Sequence, residues 1–339
     1  MQSKAERYSW AAYHLFVLLS ALIGDSLVLY ASVQRHALKV HQVIVTVIQH
    51  IAVSDIAIVI FRVLPRMISF IADTWILGHG LCYVAACTNP IFFYAGTSFI
   101  AVLTTSKLLL LKYPLRATHW TKKEAHQICS IFWICSVLYP ILVTAIKEDH
   151  VGFDYRIYSC RYKTEQWDKI ALIPSFIFIF APAIIVVGTT IPSLKYLALA
   201  RKTARRAGGI DPWQGTLTVA LTAIFYLISI LPLLVYYVWT HFLKTETGHF
   251  QVYRIAIFLL SINVISNFYI YALTIKSFRT FLQFQVLLRP NPPQSAVLSS
   301  YQSRSFQLSS FISRSFQSRL FQPASPSLQE VTTTTTGKH

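Results

Sequence analysis

Seven long apolar segments follow one another along the chain, at approximate limits 8–34, 42–69, 80–106, 125–146, 170–194, 214–243 and 255–275. A helix needs about 20 apolar residues to cross a hydrocarbon core of roughly 30 Å, and each segment reaches that length. The pattern predicts an all-α membrane protein, a seven-transmembrane helix bundle. The run that begins at Cys82 organises the rest. It carries no Asp, Glu, Lys or Arg as far as Ser106, then meets Lys107 and the cluster Lys112-Tyr113-Pro114-Leu115-Arg116. Charge inside the segments is confined to Asp25 in the first and to Asp55, Arg62 and Arg66 in the second.

Composition sharpens this picture. Only 13% of the 339 residues are charged and 54% are hydrophobic, where a soluble chain carries about a quarter charged residues. The formal net charge of +17 does not indicate nucleic acid, because the basic residues sit between apolar runs and not on a polar domain. One set of loops holds Arg35, Lys39, Lys107, Lys112, Arg116, Lys122, Lys123, Arg201, Lys202, Arg205 and Arg206, and the opposite loops mix signs. Basic loops face the cytoplasm, so the N-terminus is expected outside and the C-terminus inside, at the plasma membrane. No cleavable signal peptide is expected. Residues 1–7 read as a short extracellular N-terminus and 8–285 as the membrane domain. Residues 286–339 read as a disordered cytoplasmic tail, rich in Ser, Gln, Thr and Pro, with SRSFQ at 303–307 and again at 313–317.

Several landmarks fall in a fixed order. Trp75-x-x-Gly78-x-x-x-Cys82, a later outer cysteine Cys160, Gly24-Asp25-x-x-Val28 and Ile51-Ala52-Val53-Ser54-Asp55 are joined by Trp133, Pro140, Pro182 and Pro232. Asn267-Phe268-Tyr269-Ile270-Tyr271, followed by Phe278, closes the series. Together these resemble the rhodopsin-like (class A) G-protein-coupled receptors over roughly residues 8–285. The resemblance implies a Cys82–Cys160 disulfide, a short amphipathic eighth helix, an extracellular ligand and a heterotrimeric G protein as cytoplasmic partner. Kinases and arrestin would act on the Ser/Thr-rich tail, and lipid would surround the bundle. Departures are equally plain. Ser106-Lys107-Leu108 stands where the family has Asp-Arg-Tyr, Ser229-Ile230-Leu231-Pro232 replaces Cys-Trp-x-Pro, and Phe268 replaces a proline. A non-signalling seven-helix scaffold or ligand sink therefore stays open as the alternative.

The resemblance also places candidate residues. Lys107, Arg116 and Tyr271 match the G-protein coupling face. Asp55, Asn263 and Asn267 match the family's sodium site, with Gly96 in place of its serine and Asp25 in place of an asparagine nearby. No other cofactor is expected, since Ser261 stands where light-sensing members attach retinal; an aminergic ligand is argued against, since Asn89 stands where aminergic members carry an aspartate. Asp55, Arg62 and Arg66 are spaced seven and four apart, within about 20° of one helical direction. If Asp55 faces inward, both arginines do, and a guanidinium that deep needs a partner. No acid in the outer half of the third to seventh segments offers one, so the ligand is expected to carry an anionic group. Asn89, Phe92 and Phe93 would line the floor, and Arg254 would add positive charge at the mouth. Glu148 or Asp154 is the competing partner for Arg62. No His-Glu-x-x-His, Gly-rich phosphate loop or CxxC occurs, so no enzyme is expected, and His50 and His126 are read as polar contacts between helices.

Overall fold

The computed structural model of the chain describes residues 3–34, 38, 40–113, 120–146, 151–162, 176–207, 213–239 and 249–286. Arg116, Glu148 and the tail beyond Val286 lie outside the described residues. The first helix, α1 (Lys4–Val33), starts earlier than the apolar pattern suggests. Ser3 caps it: its hydroxyl accepts from the Glu6 amide at 3.1 Å. Glu6 places an acid in the positive first turn. Local capping chemistry thus extends the span into the expected N-terminal arm.

Helix α2 runs through Gln42–Ile58, a π turn at Val59–Val63 and a last stretch at Leu64–Ala72. Pro65 has no amide proton to offer the carbonyl four residues earlier. The ladder widens over the preceding turn. Asp73, at φ 61°, ends the helix in the left-handed region. Helix α3 (Gly78–Lys112) follows. Gly78 turns the chain into it at φ 81°, a conformation glycine adopts without steric cost. The Trp75 indole donates to its carbonyl at 2.7 Å. Helix α4 (Lys122–Ile146) opens with a reciprocal cap between Thr121 and Glu124. Helix α5 (Ala181–Ala207), preceded by a π turn at Phe176–Phe180, and helices α6 (Trp213–Val238), α7 (His249–Thr274) and α8 (Lys276–Val286) complete the set.

The helices close a ring in the order α1, α2, α4, α3, α5, α6, α7 and back to α1, with α3 also touching α2 and α6. Among the described residues six helices are long and apolar enough to cross a membrane. Helix α4, with 25 residues, has the length for a seventh crossing at about 1.5 Å per residue. The outward faces are apolar, with Ile23, Ile131, Ile184, Ile228 and Leu273 exposed, while Val28, Phe99, Ile179, Ile230 and Phe278 are fully enclosed. An apolar outer surface of this kind suits a lipid solvent.

A two-stranded sheet accompanies the expected helical bundle. Strands β1 (Val151–Asp154) and β2 (Ser159–Tyr162) form an antiparallel hairpin that pairs Phe153 with Cys160 and Asp154 with Ser159. A disulfide joins Cys160 to Cys82 on α3, with Cα atoms 5.3 Å apart. Cys87, Cys129 and Cys135 remain thiols. The hairpin is thereby fastened to the Cys82 end of the bundle, called here the disulfide end.

Candidate ligand-binding site

At the disulfide end, the described acids are each committed to an arginine. Glu6 meets Arg254 at 2.6 Å, Asp73 meets Arg7 at 3.0 Å, and Asp154 meets Arg161 at 2.7 Å. Arg254 also lies over the Trp10 ring, 5.5 Å from its centroid. Its charge is therefore matched within the protein by Glu6. Asp73 accepts a second bond, from the Tyr158 hydroxyl at 2.8 Å. The Tyr158 ring stacks on Phe70 at 4.4 Å. Burial first, then the Asp73 carboxylate, pushes the Tyr158 phenol up to about 12. This knot ties α1, the end of α2 and the hairpin together.

Arg62 and Arg66 are left without such partners. Arg66 is 4% exposed, and its Nε has no hydrogen-bond partner. Neither guanidinium forms an ion pair with a described residue; Asp154, one competing partner, is held by Arg161. The groups that bear electrostatically on Arg62 are the phenols of Tyr253, Tyr13 and Tyr237. His14 on α1 completes the group. It is 1% exposed, and its Nδ1 contacts the Trp10 carbonyl at 2.7 Å, while Nε2 has no partner. Its ring packs on Phe70 and Tyr13. Sequence reading did not single out Tyr13 or His14. The spacing of Trp10 and His14, one helical turn apart, was the available signal.

A cavity of about 30 Å³ lies below, lined by Asp55, Arg62, Phe93, Gly96, Tyr226 and Asn263 among others. A water needs about 10–15 Å³ by this measure, so the space suits a couple of waters or a small ion. Phe93 lines it. Phe92 does not: it points about 100° around α3 and packs on Phe61 and Trp133. Asn89 is also absent from the lining, because it stands a full turn above Phe93.

Deeper still, Asn267 donates to Asp55 at 2.8 Å. Asp25 is 1% exposed, and the Asp25 Oδ2, Asn263 Oδ1 and Asn267 Oδ1 atoms are buried without hydrogen-bond partners. All three orphan atoms are acceptors. A Cβ on Gly96 would stand 3.0 Å from the Ser54 hydroxyl, which donates instead to the Phe92 carbonyl. At the opposite end Lys107 Nζ reaches across to α6, 3.4 Å from where a Gly215 Cβ would sit. Tyr271 is enclosed. The two histidines meet, His50 Nε2 to His126 Nδ1 at 3.0 Å, and Trp133 donates to His50 Nδ1 at 3.2 Å.

A ring of seven long helices, a disulfide from α3 to a hairpin and a short terminal α8 define a membrane receptor of the seven-helix class. Residues 24–271 match the 7 transmembrane receptor (rhodopsin family), and the chain belongs to that family. Similar proteins include the human uracil nucleotide/cysteinyl leukotriene receptor, 21% identical over 53% of this chain and 49% of its own length. The annetocin receptor of Eisenia fetida is 22% identical over 54% of this chain and 43% of its own length. A rat C-X-C chemokine receptor type 3 is 27% identical over 47% and 42%. The chain spans about half the length of these curated relatives. Squid rhodopsin shares the fold, with a TM-score of 0.70 at 16% identity, over 87% of this chain and 90% of that one.

Proposed function

We propose that this chain is a plasma-membrane receptor whose extracellular ligand carries an anionic group, and that it passes the signal to a heterotrimeric G protein. The disulfide end is the extracellular one in this reading. The observation that carries it is the contrast at that end: Glu6, Asp73 and Asp154 are each spent on another arginine, while Arg62 and Arg66 face inward with no described acid. A guanidinium fork grips carboxylate or phosphate in two parallel bonds, and desolvated surroundings strengthen that grip. One relative is named for a uracil nucleotide, a kind of molecule that carries phosphate. The small cavity means that a ligand must part the disulfide ends of the helices, which couples binding to a shift between bundle states.

Lys107, at the other end, is assigned to the coupling face together with Arg116 and Tyr271 by the family resemblance. A lysine supplies the charge there without the planar fork. The orphan acceptors around Asp25, Asp55, Asn263 and Asn267 fit a bound sodium ion, an oxygen-ligated cation. Kinases and arrestin would read the Ser/Thr-rich tail. The test is nucleotide exchange on G proteins by the full chain in lipid nanodiscs, screened with anionic and cationic compound pools. An anionic agonist whose potency collapses in Arg62→Gln and Arg66→Gln supports the reading. A cationic agonist that activates the double variant as well as the parent sinks it.

A further inference from the structure

Resting on the anionic-ligand reading above, we infer that the group held by Arg62 and Arg66 is a phosphate monoester, and that His14 partners its proton. Acceptor count makes the first case. Two guanidiniums one turn apart present two donor forks. A carboxylate has two oxygens to offer them, whereas a phosphate monoester has three. Two forks occupy at most four acceptor sites, which leaves acceptor capacity on the three oxygens for a third group.

His14 is that third group. Its Nδ1 proton is committed to the Trp10 carbonyl at 2.7 Å, so Nε2 is the atom that can change role. It is buried and without a partner. The charged groups that bear on His14 are Arg66 and Arg62 of α2. Arg254 of α7 sits over Trp10 and pairs with Glu6. Arg7 pairs with Asp73 and reaches the Phe70 carbonyl at 3.4 Å, and Tyr158 of the hairpin stacks on Phe70. No carboxylate among these faces Nε2. The bound state holds one proton between His14 and the ester. Either the monoanion donates its O–H to Nε2, or the imidazolium donates to the dianion. Binding of the free dianion to neutral His14 takes up that proton from water. A sulfate ester has the same shape but no proton to share, and a carboxylate has too few oxygens. The same phosphate chemistry could arrive as a soluble ester or as a lysophospholipid headgroup.

The experiment uses the full chain in phosphatidylcholine nanodiscs with inorganic phosphate, phenyl phosphate, phenyl sulfate and benzoate, read as Kd and as the shift in Tm. A parallel arm adds lysophosphatidate to the disc. Phenyl phosphate should bind about tenfold tighter than phenyl sulfate, the size of one hydrogen bond to a charged group. Its affinity should fall as pH rises above the ester's second pKa of about 6. Arg62→Gln and Arg66→Gln should abolish the response while leaving the ligand-free Tm equal or higher, since each removes a buried charge. His14→Phe, which keeps a ring in the aromatic stack, should erase the preference over sulfate and flatten the pH profile. Stabilisation by lysophosphatidate alone supports the inference with a lipid source; stabilisation by phenyl phosphate as well supports it with a soluble one. If benzoate binds as tightly as phenyl phosphate and His14→Phe changes nothing, the phosphate assignment falls while the anionic reading stands. If none of the phosphates, sulfate or benzoate binds, both fall.

Discussion

Single residues at the core of this chain answer one another in ways their spacing does not reveal. Phe268 stands where the family has a proline, and Gly24 across from it is what makes room: a Cβ on Gly24 would lie 2.7 Å from Phe268 Cγ and 2.8 Å from its Cβ. Gly24→Ala should therefore destabilise by about 1–3 kcal/mol, visible as a lower Tm. Phe268→Ala should not fully rescue it, because the Phe268 Cβ remains in the way. Asp25 behaves differently. Its Oδ2 is buried with no hydrogen-bond partner, which is costly for a carboxyl group. Asp25→Asn should leave Tm unchanged or raised. If sodium binds at this centre, the same variant should weaken the dependence of Tm on sodium against a choline control. Gly96→Ser would crowd the Ser54 hydroxyl at 3.0 Å, so restoring the family's serine should cost stability unless Ser54 turns away from the Phe92 carbonyl.

At the scale of elements, the disulfide end is held by more than its disulfide. Arg7 from α1, Asp73 from the end of α2 and Tyr158 from the hairpin form a bonded trio under the Phe70 ring. Asp73→Ala should cost about 1–3 kcal/mol by leaving Arg7 buried and unpaired. Asp73→Asn should cost less, because asparagine also tolerates the left-handed backbone. Tyr158 carries a raised phenol, so its contribution is complete below about 10. It is lost only as pH climbs toward about 12. Thermal unfolding of the parent and Tyr158→Phe should therefore differ by a constant amount across neutral pH and converge in strong alkali. The π turn ahead of Pro65 is the other feature of this scale, and Arg62 lies within it.

For the whole molecule, the ring of helices links a site near Arg62 to Lys107 at the far end of α3. Lys107 reaches across to α6 above Gly215. Replacement by arginine should raise agonist-driven nucleotide exchange by restoring the fork, while Lys107→Ala should lower it. Equal exchange by Lys107→Ala and the parent would remove Lys107 from the coupling face. What the sequence alone determined were the features set by solvent and by short-range chemistry. The spans follow from apolar length, because a bilayer offers no partner to backbone groups. The helical spacing of Asp55, Arg62 and Arg66 was also legible. The Cys82–Cys160 pair came through resemblance. The tertiary structure decided who meets whom across the bundle. It gave Arg254 to Glu6 and Asp154 to Arg161, turned Phe92 toward Trp133, brought His14 toward two arginines some fifty residues away, and placed a β-hairpin over the helices. These outcomes depend on helix rotation and on competition among several acids for several arginines. Partner choice of that kind is settled by three-dimensional proximity and not by the order of residues.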